Sequence, residues 1–162
     1  MPRLTLCLVL LCSVAMAGDD WGPAQFLVGR WIGEGSGQPG QGTGAFSFTP
    51  DLQGKILVRK SFAEYPAASG RPASRHDDLT IIYHDDPLRA IYFDSEGHTI
   101  RYTLKPADKG VVFTTDGAPK EMRYRLTYTS TGANTLKLKF EIAPPGKEFA
   151  VYIDAAMHRE GN

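Results

Sequence analysis

Phe26-Leu27-Val28-Gly29-Arg30-Trp31-Ile32-Gly33-Glu34-Gly35 is the stretch whose reading decides the fold. A tryptophan sits in a short, apolar, glycine-punctuated segment, and the segments that follow it are strand-like. A short helical turn is expected just before Phe26. No later window sustains the roughly 3.6-residue period of an amphipathic helix, while Gly and Pro recur at short intervals. That combination predicts a closed antiparallel β-barrel whose first strand plugs one end with an indole.

Working outward, the clearest alternation is Met122-Arg123-Tyr124-Arg125-Leu126-Thr127-Tyr128, with one apolar face and one charged or hydroxylated face. Leu136-Lys137-Leu138-Lys139-Phe140-Glu141-Ile142 repeats it. Period-two patterning marks strands with one buried and one wet face, and Ser130-Thr131-Gly132-Ala133-Asn134 between them reads as a hairpin turn. Further strands are expected over Leu27–Glu34, Gly44–Thr49, Lys55–Tyr65, Asp78–His84, Arg89–Asp94, His98–Lys105, Val111–Thr115 and Phe149–Arg159. Their connectors carry turn chemistry, as in Asp85-Asp86-Pro87, Ser95-Glu96-Gly97 and Pro144-Pro145-Gly146. About ten antiparallel strands at regular spacing read as an all-β meander barrel or sandwich, and the tryptophan-bearing first strand favours a single closed antiparallel meander barrel of about ten strands. The glycine-rich run from Gly33 to Gly44 returns to a strand rather than opening a helix, so it reads as a hairpin and not as a phosphate loop.

Residues 1–17 read as a signal peptide, with Arg3 as the positive region, Leu4 to Val14 as the apolar run and Ala15-Met16-Ala17 as the cleavage site. The run is too short to span a bilayer, which takes roughly 20 apolar residues. A domain over 18–162 remains. Both cysteines, Cys7 and Cys12, fall inside the signal, so the exported domain is expected to stand on its core without disulfides. The chain carries 18 basic and 18 acidic residues, and losing Arg3 leaves one net negative charge. That balance is no electrostatic footprint for nucleic acid or an anionic membrane surface, and no membrane insertion is expected after cleavage.

Gly29-Arg30-Trp31 resembles the first-strand motif of the calycin barrels, the group of lipocalins, fatty-acid-binding proteins and nitrobindin-like domains. The wider pattern adds Asp51-Leu52-Gln53-Gly54-Lys55-Ile56-Leu57 and a late aromatic strand. With these the chain is similar to a bacterial family of exported, lipocalin-like domains of unknown function, related to the nitrobindin-like barrels. The resemblance implies that a basic residue near the end of the last strand packs across the indole and closes that end. Arg159 is the candidate, with Trp31 and Gly29 as its partners. It also brings haem as a candidate cofactor, held in nitrobindin-like relatives by a last-strand histidine some residues before the terminal basic positions. Counting back from Arg159 by about six lands on Ile153, on the same face, whereas His158 falls on the opposite one.

Alternation sets Met122, Tyr124, Leu126 and Tyr128 inward. Ile100, Tyr102 and Leu104 share a face with His98, which places His98 inward near a mouth. Ile56, Val58 and Phe62 share theirs with Lys60 and Glu64. His98, Tyr102, Tyr124, Tyr128 and Lys60 are therefore the candidate ligand-binding residues of a mostly apolar pocket. The alternative is that the tyrosines simply fill the barrel. His76-Asp77-Asp78 and His84-Asp85-Asp86 repeat a histidine-carboxylate triplet, but eight residues of extended strand hold them ~26 Å apart, so they form no common metal site. Nucleophile-elbow, zinc-protease and cysteine-nucleophile motifs are missing from the expected mature domain. No catalytic residue is assigned, although folding could still gather Glu64, Glu141 and Asp154.

The expectation is an exported lipocalin-like barrel, periplasmic or secreted, that binds or carries a small, largely apolar molecule and needs no cofactor. Two other readings stay open. One is a haem-binding, nitrobindin-like protein acting on reactive nitrogen species; the other is a structural or interaction module of the cell envelope with a filled barrel.

Overall fold

The computed structural model describes residues 20–33, 42–68 and 70–161. The signal-peptide reading, both cysteines, most of the glycine-rich run and the predicted strand end at Glu34 lie outside the described residues. A 3-10 helix, Gly22–Leu27, leads into ten strands. They are β1 (Gly29–Gly33), β2 (Thr43–Asp51), β3 (Ile56–Tyr65), β4 (Ser74–Tyr83), β5 (Arg89–Asp94), β6 (Thr99–Ala107), β7 (Gly110–Thr115), β8 (Arg123–Gly132), β9 (Thr135–Ala143) and β10 (Ala150–Arg159). Each pairs antiparallel with its neighbour in sequence, and β1 pairs with β10 to close the barrel. Closure leaves no unpaired sheet edge along the barrel wall, which is how an all-β chain avoids edge-to-edge association. Among the described residues no helix is long and apolar enough to cross a membrane.

An up-and-down meander divides its connections between two ends. The β2–β3, β4–β5, β6–β7 and β8–β9 turns share one end with the 3-10 helix, and the β3–β4, β5–β6, β7–β8 and β9–β10 connections lie at the opposite rim. The largest fully buried side chains gather toward the first end: Trp21, Leu27, Trp31, Phe48, Phe113 and Tyr128 among them. Tyr128 meets Phe46, Phe48 and Phe113 edge-on at 5.6–5.8 Å between ring centres, the geometry that the ring quadrupole favours. These rings close the barrel floor.

The seal below the floor explains the opening motif. Trp31 lies opposite Arg159 in the β1–β10 register, and the guanidinium stands over the indole at 4.2 Å. Arg159 Nη1 and Nη2 donate to the carbonyls of Val28 and Phe26, at 2.6 and 3.0 Å. Trp31 Nε1 donates to the Leu27 carbonyl at 2.9 Å. Three carbonyls at the helix exit are thus satisfied by two side chains, as buried backbone polar groups require. Gly29 is needed here twice over: its φ is +122°, and a Cβ would overlap Arg159 Nη1.

Candidate functional site

Above the floor the barrel is hollow. A cavity of about 600 Å³ opens toward the rim made by the β3–β4, β5–β6 and β9–β10 connections. One stretch of wall is aromatic and aliphatic, carrying Tyr124 and Leu126 from β8, Leu138 and Phe140 from β9, and Ile153 and Ala155 from β10. Tyr124 and Phe140 lie nearly parallel, 6° apart in plane and 6.0 Å between centres. The β9–β10 register shifts between Val151 and Ile153. Tyr152, at that irregularity, stands edge-on to Phe140 at the mouth and is 70% exposed.

A second stretch is polar. Strand alternation turns Arg59 and Ser61 of β3, His76 and Asp78 of β4, and Tyr92 and Asp94 of β5 into the cavity. Arg59 Nη1 donates to Asp78 Oδ1 and Nη2 to Ser61 Oγ at 3.0 Å, with Phe46 beneath the guanidinium at 5.0 Å. Both charged side chains of this pair are only 8% exposed, so the pairing offsets a desolvation cost that either would carry alone.

A hydrogen-bonded chain rises from Asp94 to the rim. Asp94 Oδ1 accepts from the backbone N–H groups of Glu96 and His98, at 3.0 and 2.9 Å. Its Oδ2 lies 2.8 Å from His98 Nδ1 and accepts from the Tyr92 hydroxyl at 3.2 Å. Burial pushes the Asp94 carboxyl up, but these donors outweigh it and hold it below the usual carboxylate range. The bond to Asp94 raises His98 above its ordinary value. An ionised carboxylate only accepts, so Nδ1 carries the proton and Nε2 is the imidazole's remaining nitrogen. Burial first, then the Asp78 and Asp94 charges, push the Tyr92 phenol well above its usual value.

Tyr92 has one hydroxyl proton and two neighbours that can take it, because His76 Nε2 is also 3.0 Å away. His76 Nδ1 faces Glu96 Oε1 at 3.2 Å and therefore carries a proton. The chain from His98 through Asp94 and Tyr92 therefore continues to His76 and Glu96 as one hydrogen-bonded network.

The residues singled out from alternation fall in different places. Tyr102 and Tyr124 stand on the cavity wall and His98 at its mouth. Tyr128 lies in the floor, fully buried among rings, and its hydroxyl is pushed up to about 12 by burial, which the neighbouring Arg59 opposes. Lys60 is corrected: it is exposed on the outside of β3. The slip has a physical cause. The outward row of β3 is Ile56, Val58, Lys60 and Phe62, and the inward row is Leu57, Arg59, Ser61 and Ala63, so the more apolar row faces out. Phe62 is covered there by the Arg75 guanidinium at 4.4 Å. Met122, expected inward, precedes β8 and is 44% exposed.

Arg59, His76, Asp78, Tyr92 and Asp94 were missed. Part of the signal was present, because Tyr92 and Asp94 sit two apart in the predicted strand Arg89–Asp94; His76 lay outside the predicted strand Asp78–His84, whereas β4 begins at Ser74. The two histidine triplets lie at opposite ends of β4, with His84 stacked on Trp21 at 4.4 Å by the closed end. Glu64, Glu141 and Asp154 are not gathered; they pair separately with Arg75, Arg125 and Lys137. Among the described residues no group of three or more His, Cys, Asp or Glu is placed to hold a metal.

The haem expectation meets an isoleucine. Ile153 lines the cavity at the counted place, and its side chain has no lone pair to offer an iron. His158 alternates with the inward Met157 and Arg159, which puts it on the outer wall. The residues at that position do not fit a haem. No protein-family model and no curated protein matches the chain.

Proposed function

We propose that this protein is an exported binding barrel that takes a small, largely apolar molecule into the open half of its cavity. The observation that carries the reading is a hollow of about 600 Å³ over a filled floor. That volume lies within the roughly 300–1,000 Å³ of small-molecule sites, which pair an apolar lining with a few polar groups. Tyr102 and Tyr124 would contact the ligand body and His98 would meet it at the mouth. Tyr128 supports them from the floor. Export to the periplasm or beyond rests on Arg3, the Leu4 to Val14 run and Ala15-Met16-Ala17. A lipocalin-like or nitrobindin-like ancestry is supported by the ten-stranded closed barrel and by the Trp31–Arg159 seal.

Titration with the dye anilinonaphthalene sulfonate tests the reading. Ala155 lines the cavity, and Ala155→Trp should fill it. The wild type should enhance the dye's emission saturably, and the variant should lose that response while keeping its far-UV spectrum. Equal responses from the two proteins would overturn the reading.

A further inference from the structure

The two walls described above stand directly across the barrel from one another. In the closed ring of ten strands, β8, β9 and β10 lie five places from β3, β4 and β5 respectively. The flat Tyr124–Phe140 surface therefore faces Asp78, Tyr92 and Asp94 across the cavity. Polarity changes from side to side at each depth, from Arg59 near the floor to Glu96 and His98 at the rim. A head-to-tail amphiphile does not match this arrangement. Lying along the axis, its hydrocarbon would displace water from the polar wall over the whole depth and strand the acceptor positions that Asp78 and Glu96 keep beyond their protein partners.

We infer that the ligand is a flat, conjugated molecule with hydroxyl groups along one edge, a conclusion that rests on the binding reading given above. Its ring system lies against Tyr124 and Phe140 in the offset or edge-on contacts aromatic pairs favour, with Tyr152 meeting it at the mouth. Its hydroxyl edge faces the polar wall. Asp78, Asp94 and Glu96 can only accept hydrogen bonds while ionised, so that edge has to donate. An anionic edge gains little: three carboxylates line this side, and two of the cations beside them are already held, Arg59 by Asp78 and His98 by Asp94. Asp78 uses Oδ1 for that pair, which leaves Oδ2 to receive a ligand hydroxyl. Charge-assisted hydrogen bonds of this kind are about twice as strong as neutral ones.

Calorimetry with three probes of equal carbon count tests the inference: luteolin (a hydroxylated flavone), unsubstituted flavone and pentadecanoate. Luteolin should bind at least about tenfold more tightly than flavone, the step expected from a hydrogen bond to a charged group. Flavone should in turn bind more tightly than pentadecanoate. Tyr124→Leu and Phe140→Leu should weaken both flavones several-fold more than they weaken pentadecanoate. Tyr92→Phe should weaken luteolin several-fold and leave flavone alone, a split that a general loss of structure would not produce. Pentadecanoate binding as tightly as luteolin would overturn the inference, as would variants that weaken all three probes equally. If the dye binds but neither flavone does, this inference falls and the binding reading stands. If neither dye nor probes bind, the binding reading falls and takes this one with it.

Discussion

At the closed end of the barrel, inward rows are apolar and interlocked: Trp31, Phe48, Leu57, Ile82, Leu104 and Phe113 are all essentially inaccessible. At the open end the inward rows of three adjacent strands bring Arg59, His76, Asp78, Tyr92 and Asp94 around a hollow. One closed ring of strands builds both halves, so the difference between them lies mainly in the side chains, with a backbone irregularity between Val151 and Ile153 near the mouth. Close packing of apolar groups is what a stable core requires. Buried polar groups around empty volume cost stability, and proteins tolerate such violations of patterning mainly at functional sites. The closed end holds the fold and the open end is available for function.

Substitutions in the two halves should separate these roles. Trp31→Ala removes a buried aromatic together with the face on which Arg159 rests. It should cost about 3–5 kcal/mol and lower Tm by on the order of 10 °C, measured by calorimetry. An unchanged Tm would remove the sealing role. Asp78→Leu alone leaves the Arg59 guanidinium buried without its partner and should cost about 3 kcal/mol or more. Adding Arg59→Met should recover most of that loss or exceed it, because an apolar pair of similar volume is often as stable as a buried ion pair. A double variant less stable than the single one would mean that the open-end polar groups stabilise the fold rather than burden it.

The rim should respond to pH in two opposite directions. His98 is held above its ordinary value by Asp94, so protonated His98 favours the folded state. That contribution is complete below about pH 6.5 and fades as pH rises through the raised value. Asp94 is held below the carboxylate range, so its contribution is present above about pH 4 and fades as pH falls through the lowered value. The Tm difference between wild type and His98→Gln should therefore be largest near about pH 5 to 6 and shrink toward pH 8. A difference that grows with pH would contradict the pairing. The smallest effect is expected at Lys60, on the outer wall, where Lys60→Ala should change stability by less than about 0.5 kcal/mol and leave dye binding unaltered. A clear loss of dye binding would return Lys60 to the site.

How much of this could be read in the chain differs between the halves for the same reason. Arg89–Asp94 was expected as a strand and is one, to the residue. On β8 and β9 the outward rows, Arg123, Arg125 and Thr127, then Lys137 and Lys139, are polar and the inward rows apolar, so alternation places both faces correctly. The same rule reversed β3, where a cavity replaces core as the neighbour of the inward row and Arg59 and Ser61 face it. Alternation reads contrast between two faces, and it has no sign when the inside is polar. A helical turn was expected just before Phe26, and the 3-10 helix runs from Gly22 to Leu27, where the first strand was expected to begin. The Arg59–Asp78 pair, separated by 19 residues, was not, because only the β3–β4 register brings those side chains together.

Native mass spectrometry of the protein purified from its own host tests the central claim most directly. The account predicts a bound molecule on the wild-type chain and none on Ala155→Trp, with Lys60→Ala behaving as wild type. A bare wild-type chain, or the same adduct on Ala155→Trp, would contradict it.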